Sequence, residues 1–344
     1  MKIIKFIATS LFCSLFIVIP VLIIRFLSLD AGLPLKIIYS LLLASILIST
    51  QVVFARKNKY GLKDYLLWIL SHSILMVNVA IVLIPITWMV SASFTAGDLL
   101  SGVPVIPNPS EWTLDNYKYL FEYRRSSDQF LSDYLKAFST TLYIAVLNTI
   151  LVVVLSSLVG FAFSRYKFKG RKGILLTLMG LQMFPAFMGM IALFMMFRQF
   201  GLINNATALT FIYVAGAIPY NTFIVRGFMR SIPKSLDEAA SIDGASNLQI
   251  MTKIIIPLAI PIMGFIAVTA FMTPWMDFIL PSIMMPQNET LAVWLFRFNH
   301  LTNATYRPLK FMAGALVIAV PIIIVQMYMQ KYVVYGLTAG ADKG

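Results

Sequence analysis

Apolar runs at roughly 6–24, 37–55, 66–90, 138–163, 174–197, 207–225, 254–280 and 311–330 alternate with short polar connections along the chain. Most approach the ~20 residues that cross a ~30 Å hydrocarbon layer at 1.5 Å per residue. The pattern therefore predicts an all-α, polytopic bundle of about eight membrane spans. One polar stretch stands apart: Glu238-Ala239-Ala240-Ser241-Ile242-Asp243-Gly244-Ala245, between the sixth and seventh runs. Ser235 with Glu238 reads as a capping box, Asp243-Gly244 as a turn, and Ser246 with Gln249 as the cap of a second helix running towards Pro257. Helix, glycine turn and helix over 235–256 make a rigid knuckle on one membrane surface.

Composition strengthens the membrane reading. Hydrophobic residues make up 59% of the 344 and charged residues 12%, and the mean hydropathy is +0.84. A soluble domain so composed would expose apolar patches that aggregate. The net charge of +13 does not indicate nucleic acid, because the basic residues sit in short clusters between apolar runs. With the N-terminus on the cytoplasmic side, seventeen of the 27 basic residues fall inside and ten outside. The short loops at 56–63 and 165–172 carry the strongest bias, so both termini and the knuckle are expected to face the cytoplasm of a multi-pass cell-membrane protein. Lys2 and Lys5 precede a run too long for a cleavable signal, which reads as a retained span.

Enzyme chemistry finds little support. There is no Gly-x-x-x-x-Gly-Lys-Ser/Thr phosphate loop, so no cofactor is expected in this chain. His72 and His300 are far apart in sequence, and Cys13 is the single cysteine, so no zinc or disulfide motif exists. The organisation reads as two N-terminal helices over 1–64, a span with an extracytoplasmic cap loop over 65–137, and a core transmembrane domain over 138–344.

The spacing Glu238-Ala239-Ala240, three residues, Gly244, nine residues, Ile254-Ile255-Ile256-Pro257 resembles the cytoplasmic coupling motif of ATP-binding-cassette (ABC) importer permeases. Leu181-Gln182-Met183-Phe184-Pro185-Ala186, Thr290-Leu291-Ala292-Val293 and Gly336-Leu337-Thr338-Ala339-Gly340 are similar to the smaller permease subunit of maltose/maltodextrin importers. The likeness runs from about residue 66 to the C-terminus, and the first two helices have no counterpart in the six-span form. It implies a type I ABC importer permease fold and a maltodextrin-type oligosaccharide as substrate, with a galacto-oligosaccharide or mixed-sugar substrate as the alternative. It also implies a second homologous permease, two ATPase subunits that bind ATP and Mg, and an extracytoplasmic sugar-binding protein.

Residue roles follow from the same likeness. Glu238, Ala239, Ala240, Asp243 and Gly244 would dock on an ATPase subunit. Gly336, Leu337, Thr338, Ala339 and Gly340 would form a tail that threads the ATPase interface by exposed main-chain amides; a frayed end is the alternative. Asn288, Thr290 and Leu291 would meet the binding protein. Gln182, Phe184 and Pro185 are candidates for the translocation path, Pro185 as a mid-span kink and Gln182 either on the path or as packing. Asp277 is a path or gate candidate because an ionisable residue near a span is costly. An ion-coupled secondary transporter is the other class considered, but the sequence has neither an inverted repeat nor a mid-span acidic pair.

Overall fold

A computed structural model describes residues 62–104, 112–123, 132–296 and 307–341. The first two expected spans therefore lie outside the described residues. The chain divides into two compact units, one of residues 1–117 with Pro308–Ala313, the other of Lys118–Arg307 with Gly314–Gly344.

In the first unit, helix α1 (Leu62–Phe94) contains the third expected span. Its C-terminal carbonyls lack intrahelical partners, and the following segment supplies them. Thr113 N–H donates to Phe94 O at 2.8 Å, and Asn116 Nδ2 donates to Ser93 O at 3.0 Å and Thr95 O at 2.8 Å. Trp112 stacks on Phe94 with ring centroids 4.8 Å apart, and Lys310 Nζ pairs with Asp98 at 2.5 Å.

The second unit carries the candidate site. After α2 (Asp115–Glu122), α3 (Asp133–Arg165) packs lengthwise on α6 (Ala206–Ser231) and α8 (Asn247–Met276). Ser132 caps α3 by accepting from Leu135 N–H. At 33 residues α3 is about 50 Å long, well beyond the hydrocarbon thickness, so it projects from the bilayer. Val152, Phe161, Val225, Met229, Ile255 and Ile266 form the core between the three helices. Gly160 sets the separation of α3 and α6: a Cβ there would lie 2.6 Å from Val225 Cγ1 and 2.8 Å from Val225 Cβ.

Two polar contacts cross the bundle beside prolines. Pro274 has no N–H to give the carbonyl of Ala270, and Asn148 Nδ2 from α3 donates to that oxygen at 2.7 Å. Pro219 likewise orphans the carbonyl of Ala215, and Gln182 Nε2 reaches the adjacent Gly216 O at 3.2 Å. Lipid offers no water to such groups, so Asn148 completes the ladder at Pro274, while Gln182 bonds the carbonyl next to the one that Pro219 frees.

One expectation changes. The fifth span is not a kinked helix but a broken one: α4 (Arg171–Gln182) and the segment Phe187–Gln199, which ends in α5 (Met190–Gln199), bend by 82°. Pro185 removes the bond to Leu181 and disfavours helix at Phe184, so the chain leaves one helix and starts another through a 3₁₀ turn. The total of eight spans is not confirmed, since the first two lie outside the described residues. Four helices are long and apolar enough to cross a membrane, the last being Pro308–Tyr328 within α11 (Pro308–Ala341), and the bent pair makes five if it is one span.

Gly160→Val is expected to destabilise the purified protein by about 1–3 kcal/mol through overpacking against Val225. Gly180→Ala, where a Cβ meets nothing within 4 Å, should be neutral or stabilising. Thermal unfolding of the two variants in the same detergent checks this; equal midpoints would remove Gly160 as the spacer.

Candidate functional site: the polar knuckle and its tether

The chain leaves α6 through Ile232 and Pro233 into α7 (Ser235–Ile242). The capping box expected at Ser235 and Glu238 does not form. Lys234 is the cap, Ser235 is already helical, and no side chain bonds the first turn. Asp237 and Glu238 in that turn still favour the positive end of the helix dipole.

The exit from α7 is a Schellman turn: Gly244 N–H donates to Ser241 O at 3.1 Å and Ala245 N–H to Ala240 O at 2.9 Å. It requires a left-handed residue, and Gly244 has φ +83°. The second expected cap is present, with Ser246 N–H donating to Gln249 Oε1 at 2.8 Å and Gln249 N–H to Ser246 Oγ at 3.3 Å. Beyond it, Ile250–Ile255 is wound as a π-helix before α-helix resumes at Ile256. Pro257 cannot donate to Lys253 O, and the wider π turn accommodates the crowding its ring imposes there.

Ile250, Met251 and Ile255 bury the base of the knuckle in the core between α3, α6 and α8. The tip is the opposite. Glu238, Ala239, Asp243 and Gly244 are exposed and Ala240 is half-buried. Ile242 is 86% exposed and Leu248 66%. Two large aliphatic side chains standing out of a polar turn on a firm base suit protein docking.

A charge pair holds the knuckle from the side. Arg165, the last residue of α3, places Nε 2.6 Å from Asp237 Oδ2, and its side chain is only 7% exposed. The contact is a charge pair rather than an aligned hydrogen bond, and Arg165 also donates from Nη2 to Ile232 O at 3.3 Å. Neither partner stood out in the sequence, because 71 intervening positions hide the pairing. Ile242 and Leu248 did leave a signal, as large apolar residues inside a polar stretch.

At the other end of the unit, the 198–206 and 281–290 connections are tied together. Asn204 is the single non-glycine residue with positive φ among the described residues, at 63°. Its Oδ1 accepts from Gln287 N–H at 2.8 Å and Asn288 N–H at 3.3 Å, and its carbonyl accepts from Asn288 Nδ2 at 3.0 Å. Thr290 and Leu291 were expected to be offered to a binding protein, but they are 0% and 1% exposed, and Leu291 N–H donates to Thr141 Oγ1 at 2.8 Å. The segment presents Pro286 and Gln287 instead, because α10 (Leu291–Phe296) packs its first turn on α3.

The remaining candidates separate. Asp277 is engaged: it accepts from Tyr213 Oη at 2.9 Å, and its other oxygen caps α9 (Ile279–Met284) through Ile279 N–H at 2.9 Å and Leu280 N–H at 3.4 Å. A structural role accounts for both carboxylate oxygens. Phe184 is 60% exposed beside an exposed Pro185, at the break that Gln182 steadies. Residues Gly336, Leu337, Thr338, Ala339 and Gly340 do not form a free tail, because α11 runs on to Ala341 and takes their amides into its ladder. Extending an existing helix adds a bond per residue without a new nucleus. His72 lies within α1.

Known proteins give the site a context. Residues 152–337, which contain the knuckle, match the family described as binding-protein-dependent transport system inner membrane component. The chain is 38% identical to the galactooligosaccharides transport system permease protein GanQ of Bacillus subtilis, over 82% of this chain and 98% of that one. It is 35% identical to the maltodextrin transport system permease protein MdxG of the same organism, over 77% and 92%. A crystal structure of a bacterial ABC transporter that imports the acidic polysaccharide alginate shares the fold, with a TM-score of 0.63 and 24% identity over 80% of this chain and 99% of that one.

Gly244→Val should strain the Schellman turn by roughly 1 kcal/mol or more and loosen the knuckle. Limited proteolysis of the purified chain should then cut faster within 235–249 than in wild type, with the rest unchanged. Identical cleavage rates would mean that the turn does not depend on a glycine.

Proposed function

Because the chain belongs to the binding-protein-dependent transport system inner membrane component family, we propose that it is the permease subunit of an ATP-driven importer of neutral oligosaccharides. The observation that carries this reading is the knuckle: exposed Ile242 and Leu248 on a base buried among three long apolar helices and tethered by Arg165–Asp237. Such a unit can pass force from a soluble partner to the spans without bending. The partners in this reading are two ATPase subunits that bind ATP and Mg, a second homologous permease, and an extracytoplasmic sugar-binding protein. Closure of the ATPase pair would push on Glu238, Ala239, Ala240, Asp243 and Gly244. The core of α3, α6 and α8 would then shift between inward-open and outward-open arrangements.

Substrate class rests on the relatives. Maltodextrin is supported by the 35% identical relative, and galactooligosaccharide by the 38% identical one. The broken span at Pro185, with Phe184, Phe187 and Met188 exposed, offers apolar surface on which sugar rings can stack, and Gln182 supplies an amide nearby.

The test is the assembled complex in liposomes with its binding protein and a panel of maltodextrins and galactooligosaccharides. ATP hydrolysis is expected to rise with at least one of these sugars and to stay basal with amino acids. The double variant Ile242→Asp, Leu248→Asp should insert normally but lose at least about tenfold in ATPase co-purification, as expected for apolar residues at a docking centre. Full co-purification by that variant, or no sugar response from the complete complex, would overturn the reading.

A further inference from the structure

At the same end of the molecule as the knuckle, α4 begins and α6 ends with basic residues on both. Arg171 and Lys172 open α4, whose first turn holds no acid, and Arg226 and Arg230 lie one turn apart near the end of α6, against which α4 packs. Arg226 feels the like charges of Arg230, one turn away on α6, and of Arg171 on the packed α4, so positive charge gathers where the two helices meet. The Nε of Arg226 is shut off from solvent and has no hydrogen-bond partner among the described residues. Asp237, an acid at this end, is already taken by Arg165. Among the described residues no ion pair joins Arg171, Arg226 or Arg230 to a carboxylate.

We propose that Arg171, Arg226 and Arg230 bind the phosphate of an anionic phospholipid from the surrounding leaflet. Guanidinium groups offer planar pairs of donors that match phosphate oxygens, and a mutually repelling cluster gains most from a shared anion. The position suits a headgroup. The cluster lies at the start of α4 and the end of α6, and Tyr166 and Phe168 in the connection between α3 and α4 are each 41% exposed, an arrangement that suits a membrane interface. Lys167 and Lys169 in that connection are also exposed and add attraction for an anionic surface. The inference rests on the chain's crossing a membrane and is indifferent to which sugar is carried.

The test is lipid analysis by mass spectrometry of the complex purified in mild detergent from cells. Wild type should retain phosphatidylglycerol or cardiolipin, and Arg226→Gln, Arg230→Gln should retain at least about fivefold less, whereas Arg226→Lys, Arg230→Lys, which keeps the charge without the paired donors, should retain an intermediate amount. Arg230 is exposed, so Arg230→Gln alone leaves the core untouched and should still show a measurable loss. Excess inorganic phosphate should not strip the lipid from wild type. Equal anionic lipid in wild type and Arg230→Gln would overturn the proposal, as would displacement by inorganic phosphate, which would mark a site for the free ion. Co-purifying ATPase, measured in the same samples, should be unchanged, which separates failure here from failure of the docking surface.

Discussion

The pairing of Arg165 with Asp237 fixes how the knuckle can act. Without it, α7 would be held only by its two short connections and the packing of Ala240 and Ala245 on the core. With it, the helix is joined at its first turn to the far end of α3, the longest element of the core. A largely buried guanidinium held by one carboxylate and one backbone carbonyl is costly to leave unpaired, so the two parts are expected to move together. Three supports then converge on one small unit: the charge pair at its side, Ile250, Met251 and Ile255 beneath it, and the Schellman turn with the Ser246–Gln249 cap at its tip. In the proposed function, displacement of the tip would be delivered to α3, α6 and α8 rather than absorbed by a loop.

A second constraint comes from the bilayer. Prolines 185, 219, 257 and 274 each remove a backbone donor where water is scarce, and the chain answers each differently. Asn148 replaces the donor lost at Pro274, and Gln182 steadies the turn beside Pro219. A π-helix precedes Pro257, and at Pro185 the helix breaks outright. Gly160, packed on Val225, keeps α3 and α6 close on the side where Arg165 reaches Ile232, just beyond α6.

Much of this was legible in the sequence because it depends on local spacing. Apolar runs located the long helices, and Gly244 with Ser246 and Gln249 placed the turn and the second cap. What escaped depends on contacts between distant positions. Arg165 and Asp237, Asn148 and Ala270, and Asn204 with Asn288 are unremarkable residues until the fold joins them. Asp277 looked like a candidate gate because an acid near a span is expensive; its two oxygens are consumed by Tyr213 and the cap of α9. Thr290 and Leu291 looked like loop residues, yet Thr141 draws them into the core. Ser235 and Glu238 have the spacing of a capping box, but the chain enters α7 one residue early and leaves the serine inside the helix.

The most direct test is a double-mutant cycle at the tether, with Arg165→Met, Asp237→Asn and both together, in the complete complex reconstituted with its binding protein. The quantity to follow is sugar transported per ATP hydrolysed. If the charge pair transmits motion from the knuckle to α3, each single change should lower that ratio several-fold and the double change should lower it little further, a coupling of about 1 kcal/mol or more. Effects that simply multiply, or single variants that transport at the wild-type ratio, would contradict a mechanical role for the tether.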